Sequence, residues 1–219
     1  MVATAVPLRI GILALQGGVS EHAKMLSCVG ATGIEVRLPR HLANLDGIIL
    51  PGGESTTIGK LMIEGGLLEP LRDRILGGLP TYGTCAGMIL LAREVVESAQ
   101  PLLGVMDIRV RRNAFGAQVN SFEADLRIAE LGQDSVRAVF IRAPVVEQAG
   151  PRVEVLATLE NGTPVAVREG TLLASAFHPE LGDDARMHRL FVRMCHRSDV
   201  GRTLHGIDAS SVLLKDRKE

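Results

Sequence analysis

The chain alternates between two rhythms of apolar and polar positions. Residues 8–15, LRIGILAL, form a continuous apolar run closed by QGG, the pattern of a strand buried on both faces. SEHAKMLSCVGA follows with helical spacing and Ser20 as its N-cap. IEVRLP and GIILPGG are two more short apolar segments, and TTIGKLMIEGGLLEPLRDRILGG reads as helical pieces broken by Gly65, Gly66 and Pro70. LPTYGTCAGMILLARE then turns sharply between Gly83 and Gly87 from a short strand into an apolar helix. From residue 103 the spacing tightens into strand candidates with short turns: LLGVMDIRVRRNAF, SFEADLRI, AVFIRAP, VEVLATLE and PVAVREG. LLASAFHPEL is a last core strand with a polar end, and DDARMHRLFVRMCHR is an amphipathic closing helix. Strand, glycine turn and helix in succession predict an α/β fold of three layers, a mostly parallel central sheet with helices on both faces. The later strands predict an antiparallel or mixed extension. Residues 1–197 are expected to form a single domain, with 198–219 as a polar C-terminal tail.

Composition narrows the function. A hydrophobic fraction of 46% with 22% charged residues is that of an ordinary soluble protein. With 24 Lys and Arg against 25 Asp and Glu, no global field favours nucleic acid or an acidic membrane. A small ligand or a protein partner is the expectation. Cys28, Cys85 and Cys195 are too scattered for a disulfide framework or a zinc ribbon, and reduced thiols in a cytoplasm are expected. MVATAVPLRIGILAL lacks the basic start of a secretory signal, and no run of eighteen apolar residues predicts a membrane span.

Three short motifs carry candidate chemistry. LPGGESTTIGKL looks like a nucleotide phosphate loop, but five residues separate Gly53 from Gly59 and Leu61 follows Lys60. The phosphate loop needs four, with Ser or Thr after the lysine. GTCAG has the form of a nucleophile elbow with cysteine in place of serine. Its glycines leave room for a strained turn that presents Cys85 at a helix N-terminus, with the Ala86 N–H facing an oxyanion beside the sulfur. A cysteine packed between glycines is also a common inert core residue, so GTCAG alone leaves both readings open. In AFHPEL, Pro179 favours an extended segment in which His178 and Glu180 point the same way, roughly 6.5 Å apart at Cα. A carboxylate on one imidazole nitrogen leaves the other free to take a thiol proton. The other histidines, His22, His41, His188, His196 and His205, have no such neighbour and read as surface or packing residues. No metal-ligand spacing is present, and no cofactor is expected.

PGGES, GTCAG and HPE in this order resemble a class I glutamine amidotransferase. More closely, LALQGGVSEH, PGGESTTIGKL, YGTCAGMILLA, RNAFGAQVNSFEADL, VFIRAP and AFHPEL resemble the glutaminase subunits of pyridoxal 5′-phosphate synthase, over roughly residues 8–197. The resemblance implies a flavodoxin-like amidotransferase fold. It also implies hydrolysis of L-glutamine to glutamate and ammonia, the ammonia passing to a synthase subunit in a large assembly around a dodecameric core. Carried over motif by motif, Cys85 is the nucleophile, His178 the base and acid, and Glu180 its orienting partner. Gly53 and Ala86 supply the oxyanion hole. Gly52, Gly53, Glu54, Arg112, Ile141 and Arg142 bind glutamine, with Glu54 on the α-ammonium and Arg112 on the α-carboxylate. Ser55, Thr56 and Thr57 are expected to cap the helix after the loop, and Gln16, Glu21 and His22 to shape the site or meet the partner. One departure is Ala117, where the family usually has arginine. The alternatives are a glutaminase serving another acceptor synthase, a cysteine peptidase or amidase on a similar sheet, and a non-enzymatic glutamine sensor.

Overall fold

A computed structural model describes residues 6–113 and 121–197. The chain runs through β1 (Arg9–Leu13), α1 (Val19–Cys28), β2 (Thr32–Val36), β3 (Gly47–Leu50), α2 (Ser55–Glu64), α3 (Leu68–Leu76), β4 (Thr81–Thr84), α4 (Ala86–Leu91) and β5 (Ala92–Val95). It continues through β6 (Met106–Arg111), β7 (Ser121–Leu126), β8 (Val136–Ile141), β9 (Val145–Ala149), β10 (Glu154–Thr158), β11 (Pro164–Glu169) and β12 (Leu172–Ser175). A closing helix, α5, covers residues 186–197.

Among the described residues the main sheet has seven strands in the order β10-β11-β12-β4-β3-β1-β2. The five strands from β12 to β2 pair parallel, while β11 pairs antiparallel with both β10 and β12. The apolar runs of β1 and β3 are thereby explained, since a central parallel strand is covered on both faces. Alternation along β4 assigns those faces. Tyr82 meets Phe191 of α5, with ring centroids 5.7 Å apart, and Thr84 faces His22 of α1. Gly83, pointing the other way, lies against Gly87 and Leu91 of α4. Helices α1 and α5 therefore cover one face and α4 the other.

The remaining strands form two smaller sheets, β5-β6-β9 and the β7-β8 ribbon. The expected extension is thus divided: β10 and β11 lengthen the main sheet, and the others stand beside it. In the ribbon, Phe122 stacks on Phe140 with centroids 4.5 Å apart. The backbone N–H of His178 donates to Val139 O at 2.9 Å, tying the ribbon to the end of β12.

Several local expectations are corrected. Helix α1 is preceded by Gly18 with no side-chain cap, and the Ser20 hydroxyl donates to Glu21 instead. Pro70 sits in the first turn of α3 rather than breaking it, because the N–H it lacks has no intrahelical partner there. The helix after GTCAG ends at Leu91, and Ala92–Val95 becomes β5. Ala117 and the tail 198–219 lie outside the described residues.

Candidate active site

Cys85 occupies the turn between β4 and α4 with φ 49° and ψ −104°, a conformation that a non-glycine residue holds only under constraint. Its N–H donates to Ser175 O of β12 at 2.8 Å. The flanking glycines provide the remaining constraint. A Cβ on Gly87 would overlap the Leu50 carbonyl, and one on Gly83 would lie 2.5 Å from the Gly87 carbonyl carbon. The elbow therefore needs both glycines so that α4 can lie directly on β3 and β4. Helix α4 has only six residues, so its contribution at Cys85 comes from first-turn N–H groups rather than a long macrodipole. The sulfur lies 3.8 Å from Ile141 O at the end of β8.

His178 follows the end of β12 and reaches Glu180 through Nδ1, 2.8 Å from Oε1. The connection differs from the expected extended one: Pro179–Leu181 is a 3-10 turn with His178 as its N-cap. Proline suits the first helical position because its fixed φ is already helical, and the tighter turn still brings the two side chains together. Burial alone pushes the His178 imidazole down, but hydrogen bonding and charge from Cys85 and Glu180 outweigh it and raise the group to about 10. Burial pushes Glu180 up, and the hydrogen bond from His178, with the neighbouring His22 and His178 imidazoles, brings it below its ordinary value.

The PGGE loop faces the same space. A Cβ on Gly52 would overlap the His178 ring, so only glycine lets the loop lie against the imidazole. Gly53 has φ 149°, a left-handed conformation open to glycine. Gln16 anchors the loop by accepting the Glu54 N–H at 2.7 Å. Glu54, rather than the three hydroxyls, caps α2: its carboxylate accepts from Thr56 N at 3.2 Å and Thr57 N at 2.7 Å. A carboxylate at this position also complements the helix dipole. Burial acts to raise Glu54, but bonds from Thr57 and Thr56 bring it down to about 2. The Ser55 and Thr56 hydroxyls donate instead to Gln100 Oε1, each at 3.2 Å. Arg112, just past β6, donates to Glu54 Oε1 at 2.8 Å, Gln100 Oε1 at 2.9 Å and Thr56 Oγ1 at 3.0 Å.

Cys85, His178, Gly53, Glu54, Arg112 and Ile141 line one cavity of about 200 Å³, with Arg142 also at its wall. Gly52 lies behind it against His178, and Ala86 begins α4 beside the nucleophile. A larger open groove of about 980 Å³ beside β7 and β10 is lined by neither cysteine nor histidine, so the reactive groups select the smaller cavity. The two residues assigned to opposite ends of glutamine, Glu54 and Arg112, are ion-paired with each other. Asn113 and Ile89 also line the cavity, and Gln100 braces it. Sequence reasoning passed over all three; only Asn113, adjacent to Arg112 in the RN pair, carried a signal. His22 and His188, read as surface or packing residues, are buried behind Glu180.

The arrangement offers a sulfur nucleophile, an imidazole held by a carboxylate, and a charged rim at the far side of a small cavity. Such a site suits acyl transfer from a small polar substrate. Known proteins agree. The family model described as the SNO glutamine amidotransferase family matches residues 12–197. A protein of Frankia alni, "Pyridoxal 5'-phosphate synthase subunit PdxT", is 60% identical over 196 residues, covering 89% of this chain and 98% of its own length. Its counterpart of the same name in Carboxydothermus hydrogenoformans is 56% identical over 185 residues, covering 84% of this chain and 96% of its own. A solved structure titled "Crystal structure of glutamine amidotransferase" superposes with a TM-score of 0.81 at 51% identity, covering 85% of this chain and 98% of that one. A glutamine amidotransferase from Thermotoga maritima shares the fold at a TM-score of 0.57 and 15% identity, covering 90% of this chain and 98% of that one.

Proposed function

The chain belongs to the SNO glutamine amidotransferase family, and on that premise we propose that it is the glutaminase subunit of a pyridoxal 5′-phosphate synthase. It hydrolyses L-glutamine and passes the ammonia to a synthase subunit. The observation that carries this reading is the single cavity shared by Cys85, His178, Glu54 and Arg112, with Glu180 2.8 Å behind the imidazole.

That geometry supports a reaction through a thioester. With the Cys85 proton resting on His178, the sulfur attacks the side-chain amide carbon, forming a C–S bond and a tetrahedral oxyanion. The N–H groups of Gly53 and Ala86 hold that oxyanion. The C–N bond then breaks, and His178 delivers its proton to the departing nitrogen, releasing ammonia and leaving a glutamyl thioester. Water attacks the thioester while His178 takes its proton, the C–S bond breaks, and the thiolate beside protonated His178 is restored as glutamate leaves. Glu180 keeps the imidazole oriented and balances its charge throughout.

Gly52, Gly53, Glu54, Arg112, Ile141 and Arg142 form the glutamine subsite. Arg112 is the ligand for the α-carboxylate because a guanidinium can pair bidentately. Glu54 serves the α-ammonium while capping α2 and steadying Arg112. The synthase partner is a dodecameric core around which copies of this chain assemble. Residues 1–197 act as a single amidotransferase domain, and the location is cytoplasmic. Among the described residues no helix is long and apolar enough to cross a membrane.

Acid quenching of wild-type enzyme turning over glutamine with its synthase, followed by peptide mass spectrometry, should find a glutamyl adduct on Cys85. A Cys85→Ala variant should carry none and release no ammonia. Full ammonia release by that variant would defeat the proposal.

A further inference from the structure

Behind Glu180 lies a pair of imidazoles that the reaction above does not use. His22 on α1 and His188 on α5 are both fully buried, and His22 Nδ1 lies 2.9 Å from His188 Nε2. On its other edge, His22 Nε2 is 3.5 Å from Glu180 Oε2 and 3.3 Å from Thr84 Oγ1. The polar line therefore runs from α5 through α1 to the carboxylate, and from there through His178 to the sulfur.

Two proton arrangements are available to the neutral pair. In one, His22 carries its proton on Nδ1 and donates to His188. That choice lets the Thr84 hydroxyl donate to His22 Nε2 but turns the same lone pair toward a buried carboxylate oxygen. It also leaves an Nδ1–H on His188 in a place where that atom has no hydrogen-bond partner. In the other, His188 Nε2–H donates to His22 Nδ1, and His22 Nε2–H lies between Thr84 Oγ1, at 3.3 Å, and Glu180 Oε2, at 3.5 Å, an oxygen that no hydrogen bond satisfies. The His188 Nδ1 lone pair is then left unmatched, the Thr84 hydroxyl can only accept from His22, and a buried anion gains a neighbouring N–H. A buried donor or charge without a partner is far more costly than an unused lone pair, so the second arrangement prevails. Burial also holds both rings below their ordinary value, His188 at about 3, which keeps the pair neutral.

We propose that His22, held in its Nε2–H tautomer by His188, is a positioning residue that fixes the second oxygen of Glu180 and so aims His178 at Cys85. The role rests on the glutaminase reading above. With an N–H of α1 facing Oε2 at 3.5 Å, rotation of the carboxylate away from His178 is disfavoured, and a helix pair on the far face of the sheet becomes part of the catalytic alignment.

The choice of substitutions separates positioning from bulk. In His22→Gln the amide nitrogen reaches the place of Nε2 and can still donate to Glu180. In His22→Asn the amide reaches only the Nδ1 place, and in His22→Leu both contacts are lost. Assayed with the synthase subunit, His22→Asn and His22→Leu should lower kcat roughly tenfold or more at unchanged KM, the usual scale for an outer-shell partner. His22→Gln should restore most of that loss at a melting temperature equal to that of the asparagine variant. Nitrogen-15 spectra of labelled histidine in the wild-type protein should show Nε2–H tautomers for His22 and His188. An Nδ1–H tautomer at His22 overturns the inference, as does wild-type kcat in His22→Asn or a glutamine variant no faster than the asparagine one. Should the leucine variant not fold, the asparagine–glutamine pair and the spectra still decide. Wild-type enzyme releasing no ammonia would count against the glutaminase reading, while the tautomers test the histidine pair separately.

Discussion

His178 is held by two opposing effects, and their balance can be measured. Burial disfavours its charge, while Cys85 and Glu180 favour it and raise the group to about 10, against an ordinary 6.5. A raised value in the folded state means that protonated His178 stabilises the fold fully below about pH 6.5 and loses that contribution as pH rises through about 10. The difference in unfolding free energy between wild type and His178→Gln should therefore shrink across that window; a difference flat with pH would contradict the assigned contacts. Arg112 supports a second test at this scale. It bridges Glu54, Thr56 and Gln100, so Arg112→Ala should raise KM for glutamine roughly 10- to 100-fold, the worth of a charged hydrogen bond. Arg112→Lys should not restore it, since a single ammonium cannot serve three acceptors in one plane. An unchanged KM in the alanine variant would remove the subsite role. The nucleophile elbow and the HPE pair were readable as residues because their chemistry is local. The His22–His188 pair was not, because 166 positions separate its members and only the packing of α1 beside α5 joins them. Glu54 as a cap was missed because hydroxyls compete for that role in any sequence reading.

The elements explain why these residues stand where they do. Cys85 is held in a strained turn because β12 accepts its N–H and because Gly83 and Gly87 let α4 approach the sheet. Gly87→Ala would drive a methyl group into the Leu50 carbonyl. It should cost about 3 kcal/mol and lower the melting temperature by about 10 °C; a variant as stable as wild type would show that the approach is looser than described. Long apolar runs such as those of β1 and β3 were legible, since burial on both faces leaves an unbroken hydrophobic signature. Short elements were not. β5 and β9 have four and five residues, with exposed positions that dilute any periodic signal. The 3-10 turn at Pro179 was likewise hidden, since proline suits either an extended segment or a first helical position.

At the scale of the whole molecule, function follows from topology. Parallel strands β3, β4 and β12 end together, so PGGE, GTCAG and HPE, more than a hundred residues apart at their extremes, meet at one sheet edge, where open α/β folds bind ligands. The two smaller sheets complete the cavity, β8 presenting Ile141 and Arg142 and β6 leading into Arg112. A parallel core could be anticipated from alternating strands and helices, whereas the division of the later strands into three groups could not, because pairing partners are not encoded in the period of any one strand. The phosphate-loop likeness of LPGGESTTIGKL was resolved at this scale as well: its glycines fit against an imidazole and a neighbouring loop. The most direct measurement is ammonia release from L-glutamine by the purified chain, with and without the synthase subunit, for wild type and Cys85→Ala. The expected result is turnover that rises when the synthase is added and vanishes with the alanine substitution. Turnover indifferent to the synthase, or surviving loss of the sulfur, would contradict a Cys85 glutaminase that serves it.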